Sequence, residues 1–255
     1  MTRRVLQYMA GIATVAVAGA LCASDSPTTA NATVEIPVQH LFRGKKLELF
    51  TPGSTLVDGT NIEITRLEYL ISNVRVQKAD GAWIDFPNQY FHINAEDEKE
   101  AISLAGIDAA ESVRAITLTI GVEEKINHAN SSQWPAGHAL NPLENNLNWD
   151  WTGGYVFLAL EGRVHSSDAK TAAFLYHIGN DQNRMDVSCA LPKAAPLGDV
   201  MFTFHVGEMW DGPAHVSCAQ DASFTHSRTG DELASKLVKN ARSAFRVVLK
   251  SEGSK

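Results

Sequence analysis

From Val34 onward apolar and polar side chains alternate: Val34, Ile36, Val38 and His40 are separated by Glu35, Pro37 and Gln39. A period of two is that of a strand with one face buried, and His40 closes its apolar face. Pro37 has no N–H to give a ladder, which points to a sheet edge. Comparable β-like runs follow at 46–50, 62–77, 83–93, 113–120, 155–164, 174–179, 200–206 and 244–249, punctuated by turn signals such as Asp58-Gly59, Asp80-Gly81 and Gly153-Gly154. One segment, 231–241, reads as a helix: Thr229 and Glu232 have the spacing of a capping box, and Leu233, Leu237 and Val238 form an apolar stripe. Many short strands and one short helix near the C-terminus predict an all-β fold, a single-domain antiparallel β-sandwich with long loops over 34–250. The longest irregular stretch, 123–151, carries His128, Trp134, Pro135, His138, Pro142, Trp149 and Trp151. A loop of that length in a compact domain usually has a function.

Ahead of this pattern lies a different one. Arg3 and Arg4 precede an apolar stretch over 5–21, and Cys22, Ala23 and Ser24 follow, the layout of a secretory signal peptide over 1–24. Residues 25–33 then read as a flexible leader. Lipidation at Cys22 is the alternative processing, although Leu21 is an unusual neighbour for it. Either way the chain is expected to be exported, to the periplasm or cell surface. Export removes Cys22 from the soluble chain and leaves Cys189 and Cys218 where disulfides persist. A Cys189–Cys218 bridge is therefore expected; a thiolate metal site is the alternative.

Composition adds little to fold and more to function. With 44% hydrophobic and 20% charged residues the chain is ordinary globular material. A formal charge of -7 with scattered cations argues against a nucleic-acid surface. No dinucleotide fingerprint, P-loop, zincin helix, nucleophile elbow or haem-attachment motif is present, so an enzyme is not expected. Nine histidines and five methionines in an exported chain suggest a metal, since neutral imidazole suits copper and zinc while thioether favours reduced copper. His177 in Phe-Leu-Tyr-His-Ile-Gly and His205 in Phe-Thr-Phe-His-Val-Gly share a pattern, and either ends a strand or binds metal. His138 is a ligand or a loop cap. His128, His165, His215 and His226 lie in polar, turn-like contexts and read as surface residues. Trp149 and Trp151 flank Asp150, so an extended chain points both indoles to one side. They are a core pair, or electron donors and oxidation targets.

Several blocks together resemble the MbnP-like copper-binding family: Arg66-Leu67-Glu68-Tyr69-Leu70-Ile71-Ser72-Asn73-Val74, Asp80-Gly81, Ile120-Gly121-Val122, His138-Ala139-Leu140-Asn141-Pro142, the run from Trp149 to Phe157, Glu161-Gly162 and His177-Ile178-Gly179. That resemblance implies an exported β-sandwich for copper handling, working with a dihaem cytochrome c peroxidase-like partner of the MbnH type that oxidises a tryptophan to kynurenine. MopE- and CorA-type methanotroph proteins are related copper binders, and in MopE a kynurenine from a Trp-x-His motif joins histidine ligands. No Trp-x-His occurs in this chain. The expected primary Cu(I) pair is His40 and His92, with His138, His177 and His205 as secondary candidates. Trp149 and Trp151 are the expected sites of oxidation or electron hand-off. The alternative function is a protein substrate or docking partner of the dihaem enzyme with no metal site of its own.

Overall fold

The computed structural model describes residues 32–97, 99–149, 154–165 and 170–251. The signal peptide, nearly all of the leader, and Trp151 lie outside the described residues. Its strands are β1 (Thr33–Phe42), β2 (Lys45–Lys46), β3 (Ser54–Thr55), β4 (Asn61–Lys78), β5 (Trp83–Phe86), β6 (Phe91–Asn94), β7 (Ala101–Ala105), β8 (Ser112–Ile120), β9 (Val156–His165), β10 (Thr171–Gly179), β11 (Met185–Pro196), β12 (Val200–His205), β13 (Phe224–Thr225) and β14 (Phe245–Leu249). The α-helices are α1 (Glu124–Asn127), α2 (Pro142–Asn145), α3 (Glu208–Asp211) and α4 (Glu232–Ala244). A five-stranded sheet runs β14-β12-β1-β2 with β7 also on β1, and a nine-stranded sheet runs β11-β8-β4-β9-β10-β13 with β3, β5 and β6 also on β4. The all-β sandwich expected from the strand pattern is the observed fold. Its sheets are mixed rather than purely antiparallel: β1–β12 and β10–β13 pair in parallel, as long connections permit.

The nine-stranded sheet is organised by β4. Glu68 pairs with Asn94 of β6 and Ala159 of β9, while Ile71 pairs with Phe91 of β6 and Ile120 of β8. β6 therefore lies along one edge of β4, and β9 and β8 share the other in succession. Near the changeover Asn73 takes φ 51, the ladder to β8 shifts register, and Ser72 donates to the Gly121 carbonyl at 2.8 Å. Tyr69 faces inward and meets the rings of Phe204 and Phe245, both at 5.6 Å, from the opposing sheet. Consecutive strand residues point to opposite faces, so Arg66 and Glu68 face outward.

Part of that outward face is covered by the irregular segment that precedes β9, which is held by asparagines. Asn127 accepts from Tyr155 N at 2.7 Å, Asn141 caps α2 by accepting from Leu143 N, and Asn145 bridges the Ala139 carbonyl and Leu147 N. The Tyr155 hydroxyl donates to the Leu140 carbonyl at 2.8 Å, pinning the segment to the start of β9.

Other expectations need revision. The run over 83–93 is two strands, broken where Asn88 turns with φ 58, and the run over 46–50 ends as a strand at Lys46, with Phe50 at φ 56. Pro37 sits not at a free edge but opposite Ala101 of β7. Helix α4 is capped by Asp231, which accepts from Ala234 N at 3.0 Å, not by Thr229. Cys189 and Cys218 are free thiols, so the expected bridge is absent. They have separate surroundings: Cys189 on β11 meets the Phe245 carbonyl at 3.5 Å, whereas Cys218 lies near Asp58, Asp211 and Trp210.

Candidate functional site on the outer face of the nine-stranded sheet

Register carries one row of polar side chains across four strands. Arg66 stands opposite Glu161 and Glu68 opposite Ala159, Ala159 stands opposite His177 on β10, and His92 on β6 stands opposite Leu70. Arg66 Nε donates to Glu68 Oε1 and its Nη1 to Glu161 Oε1, both at 2.8 Å. His92 Nε2 donates to Glu68 Oε2 at 3.0 Å, and His177 Nε2 donates to Glu161 Oε1 at 2.8 Å. Glycine at 162 lets the strands close here, since a Cβ would lie 2.0 Å from the Glu63 carbonyl oxygen.

These contacts fix the charges. The hydrogen bond from His177, then Arg66, holds Glu161 down to about 2 against the opposing effect of burial. Burial alone would raise Glu68, but His92 and Arg66 outweigh it and the carboxyl stays below its usual range. Both acids are carboxylates at neutral pH, each holding one imidazole by Nε2.

The row ends in an aromatic cluster. Tyr176 pairs with Thr225 of β13, which brings the next residues, His177 and His226, together with ring centroids 5.5 Å apart. Trp149 is 7% exposed and lies edge-on to His226 at 6.2 Å. Its indole packs against Gly179, where a Cβ would come within 2.7 Å of the ring. Burial, then the neighbouring His177 and Arg228, hold His226 below the usual imidazole range, so it is neutral near pH 7. Exposed Leu175 and Phe224 stand opposite one another beside this cluster.

The structure rearranges the expected ligand set. His40 and His92 do not converge: His40 Nε2 meets the Tyr69 hydroxyl at 3.0 Å inside the sandwich, whereas His92 meets Glu68 outside it. Tyr69 and Glu68 are consecutive on β4, so the sheet itself separates the two imidazoles. His138 is a local cap, stacked on Trp134 at 4.2 Å with Nδ1 accepting from Leu140 N at 3.1 Å. His205 ends β12 opposite Leu41, the neighbour of His40, but it follows Phe204 and so points to the other face of the sheet from His40, beside the Thr203 hydroxyl at 3.3 Å. Only His177 of the expected set meets another imidazole, that of His226, which its polar context marked as surface. The signal for His226 was Phe224-Thr225-His226, whose alternation sets Phe224 and His226 on one side. Among the described residues no group of three or more His, Cys, Asp or Glu is arranged to hold a metal.

No curated protein sequence matches the chain significantly. Among solved structures it is similar to MbnP from Methylosinus trichosporium, at 11% identity and a TM-score of 0.60, over 86% of this chain and 99% of that one. That likeness is one of fold. The sequence model of the MbnP family matches residues 31–240, and the chain therefore belongs to the MbnP family.

Proposed function

We propose that this is an exported, non-catalytic copper-binding protein that takes Cu(I) at His177 and His226, beside a tryptophan, Trp149, that a dihaem cytochrome c peroxidase-like partner oxidises to kynurenine. One observation carries the reading: two imidazoles 5.5 Å apart, one oriented by Glu161 through Nε2 and the other neutral, beside a buried indole. The donor set fits a soft, low-coordinate ion, for which two imidazoles suffice. Engagement of His177 Nε2 by a carboxylate leaves Nδ1 for the metal and fixes the ring, the usual arrangement behind a histidine ligand. Oxidation of Trp149 would add oxygen and amine donors next to His226. Placement in the periplasm or at the cell surface follows from the expected signal peptide.

The test is Cu(I) competition against a chromogenic chelator. Stoichiometric binding should persist in the His40→Ala/His92→Ala variant and be lost in His177→Ala/His226→Ala; the reverse would sink the assignment. Peptide mass spectrometry after exposure to the partner and peroxide should place the kynurenine at Trp149.

The alternative, a peroxidase substrate with no physiological metal, is favoured by exposed Leu175 and Phe224, which stand opposite one another with Phe224 6.4 Å from the His226 ring, an apolar surface suited to a protein partner. Trp149 oxidation without Cu(I) binding before or after it would favour that alternative.

A further inference from the structure

Tyr69 and His40 form a pair inside the sandwich that copper binding leaves unused. Tyr69 is fully buried, and among the described residues its hydroxyl has one hydrogen-bond partner, His40 Nε2 at 3.0 Å. With no other acceptor the phenol donates there, which leaves the imidazole proton on Nδ1. Phe204 and Phe245 close the ring in, and His40 itself lies edge-on to Tyr69 at 5.7 Å. Burial drives the phenol well above its ordinary pKa and pushes His40 down to about 4, so both are neutral at working pH.

The imidazole has a second boundary. His40 forms part of the wall of a cavity of about 620 Å³ that also includes Gln39, Lys46, Glu96, Asp97 and Glu100. It lies along β1 where strand pairing changes: β7 pairs as far as Pro37, β2 begins at Leu41, and between them the Glu100 carbonyl and Leu47 N bond to Val38 N and the His40 carbonyl. A buried phenol hydrogen-bonded to a neutral imidazole, itself beside an acid-rich cavity, is the arrangement needed to lose an electron and a proton together.

We propose that Tyr69 and His40 are a proton-coupled electron donor to Trp149. When a one-electron oxidant has converted Trp149 to its indole radical cation, Tyr69 passes one electron to it, restoring the neutral indole. The phenolic O–H breaks in the same step and its proton moves to His40 Nε2, leaving a neutral tyrosyl radical beside an imidazolium. An oxidised phenol is a far stronger acid than an imidazolium, so even a weakly basic His40 accepts the proton. Glu96 and Asp97 of the cavity wall, and Glu100 where it is ionised, offset the positive charge that results. Tyr69 stands opposite Leu158, Leu158 stands opposite Ile178, and Trp149 packs against the next residue, Gly179. Two strand spacings, about 10 Å, separate Tyr69 from Ile178, a span that electrons tunnel across in proteins. The pair would store one oxidising equivalent in the interior. This rests on Trp149 being the oxidised residue.

The experiment needs neither copper nor the partner. The leaderless protein is flashed with a ruthenium polypyridyl photo-oxidant and a sacrificial acceptor, and radicals are followed by EPR and transient absorption. A tyrosyl radical should form in the parent protein and disappear in Tyr69→Phe, which keeps the ring. Its formation should slow in D₂O, in Trp149→Phe, and in His40→Gln, there by roughly 100-fold, the scale of losing a positioned base. A tyrosyl radical that persists in Tyr69→Phe, or no tyrosyl radical at all in the parent protein, would overturn the proposal; an indole radical that persists in Tyr69→Phe is the expected result, since its reductant is gone. An unchanged rate in His40→Gln and D₂O would overturn the proton transfer, and one in Trp149→Phe the link to the indole. Kynurenine at Trp149 is read separately by mass spectrometry, so failure of the relay and failure of the tryptophan reading are distinguishable.

Discussion

His40 links burial to acid sensitivity. Its pKa is depressed from 6.5 to about 4 by burial, so the folded state binds its proton more weakly than the unfolded chain does. The stability that follows is fully present above pH 6.5, falls as the pH drops, and is gone below about pH 4. The depression corresponds to about 3 kcal/mol. Glu100 has the opposite sign: burial raises it to about 7, so its contribution is lost as the pH rises from 4.5 towards 7. Urea unfolding of the parent and of His40→Gln at pH 7 and pH 4 isolates the histidine, because only the parent carries its slope. A difference between the two proteins that does not change with pH would reject the burial account. The cysteines make a second residue-scale prediction. Burial raises both Cys189 and Cys218 to about 11, so a thiol reagent should react slowly with native protein and with both residues in urea. Unfolded protein without titratable thiols would restore the bridge expected from export.

Helix α4 shows how an element can be right and its end wrong. Its apolar stripe was plain in Leu233, Leu237 and Val238, all buried, but Thr229 and Glu232 imitate a capping box that the chain does not use. Asp231 caps instead, accepting from Ala234 N and, at 2.5 Å, from the Thr225 hydroxyl, which ties the helix to β13 and so to the His226 end of the site. Asp231→Ala should cost about 1 kcal/mol in urea unfolding and Thr229→Ala close to nothing; equal costs would reject this cap. Strands with one buried face, such as β1, β8 and β10, were legible because alternation survives in sequence. β11 alternates too, from Met185 to Leu191, but its prolines and small residues hid it. The row on the outer face was half legible. Glu161 and His177 lay in recognised blocks, and Trp149 stood out by its motif. What sequence could not show was register: whether His92 and His40 share a face depends on which β4 residue each meets, Glu68 for His92 and Tyr69 for His40, and His226 meets His177 only through a parallel pairing with a two-residue strand.

Across the whole molecule, β4 puts two kinds of chemistry on opposite faces of one sheet. Outside lie the carboxylate–imidazole row and Trp149; inside, Tyr69 and His40 pack among Phe204 and Phe245. If the sheet insulates them, the sites can be altered one at a time. His177 and Tyr69 are separated by β9, since Glu68 stands opposite Ala159 and Ala159 opposite His177. Two strand spacings put that separation at about 10 Å, the range in which mutational effects add to within about 0.5 kcal/mol. A double-mutant cycle of His177→Ala and Tyr69→Phe, read by urea unfolding at pH 7, should therefore show coupling below that limit. The cycle has a positive control in Glu161→Gln with His177→Ala, two residues in direct hydrogen bond, for which coupling should exceed it. Additivity in the first pair and coupling in the second would mean that β4 holds the two sites without joining their stabilities, leaving electron transfer as the route by which one could affect the other. Strong coupling in the first pair would mean that the sheet transmits strain between its faces, and that losses of copper affinity in inner-face variants must be read as packing effects rather than as lost ligands.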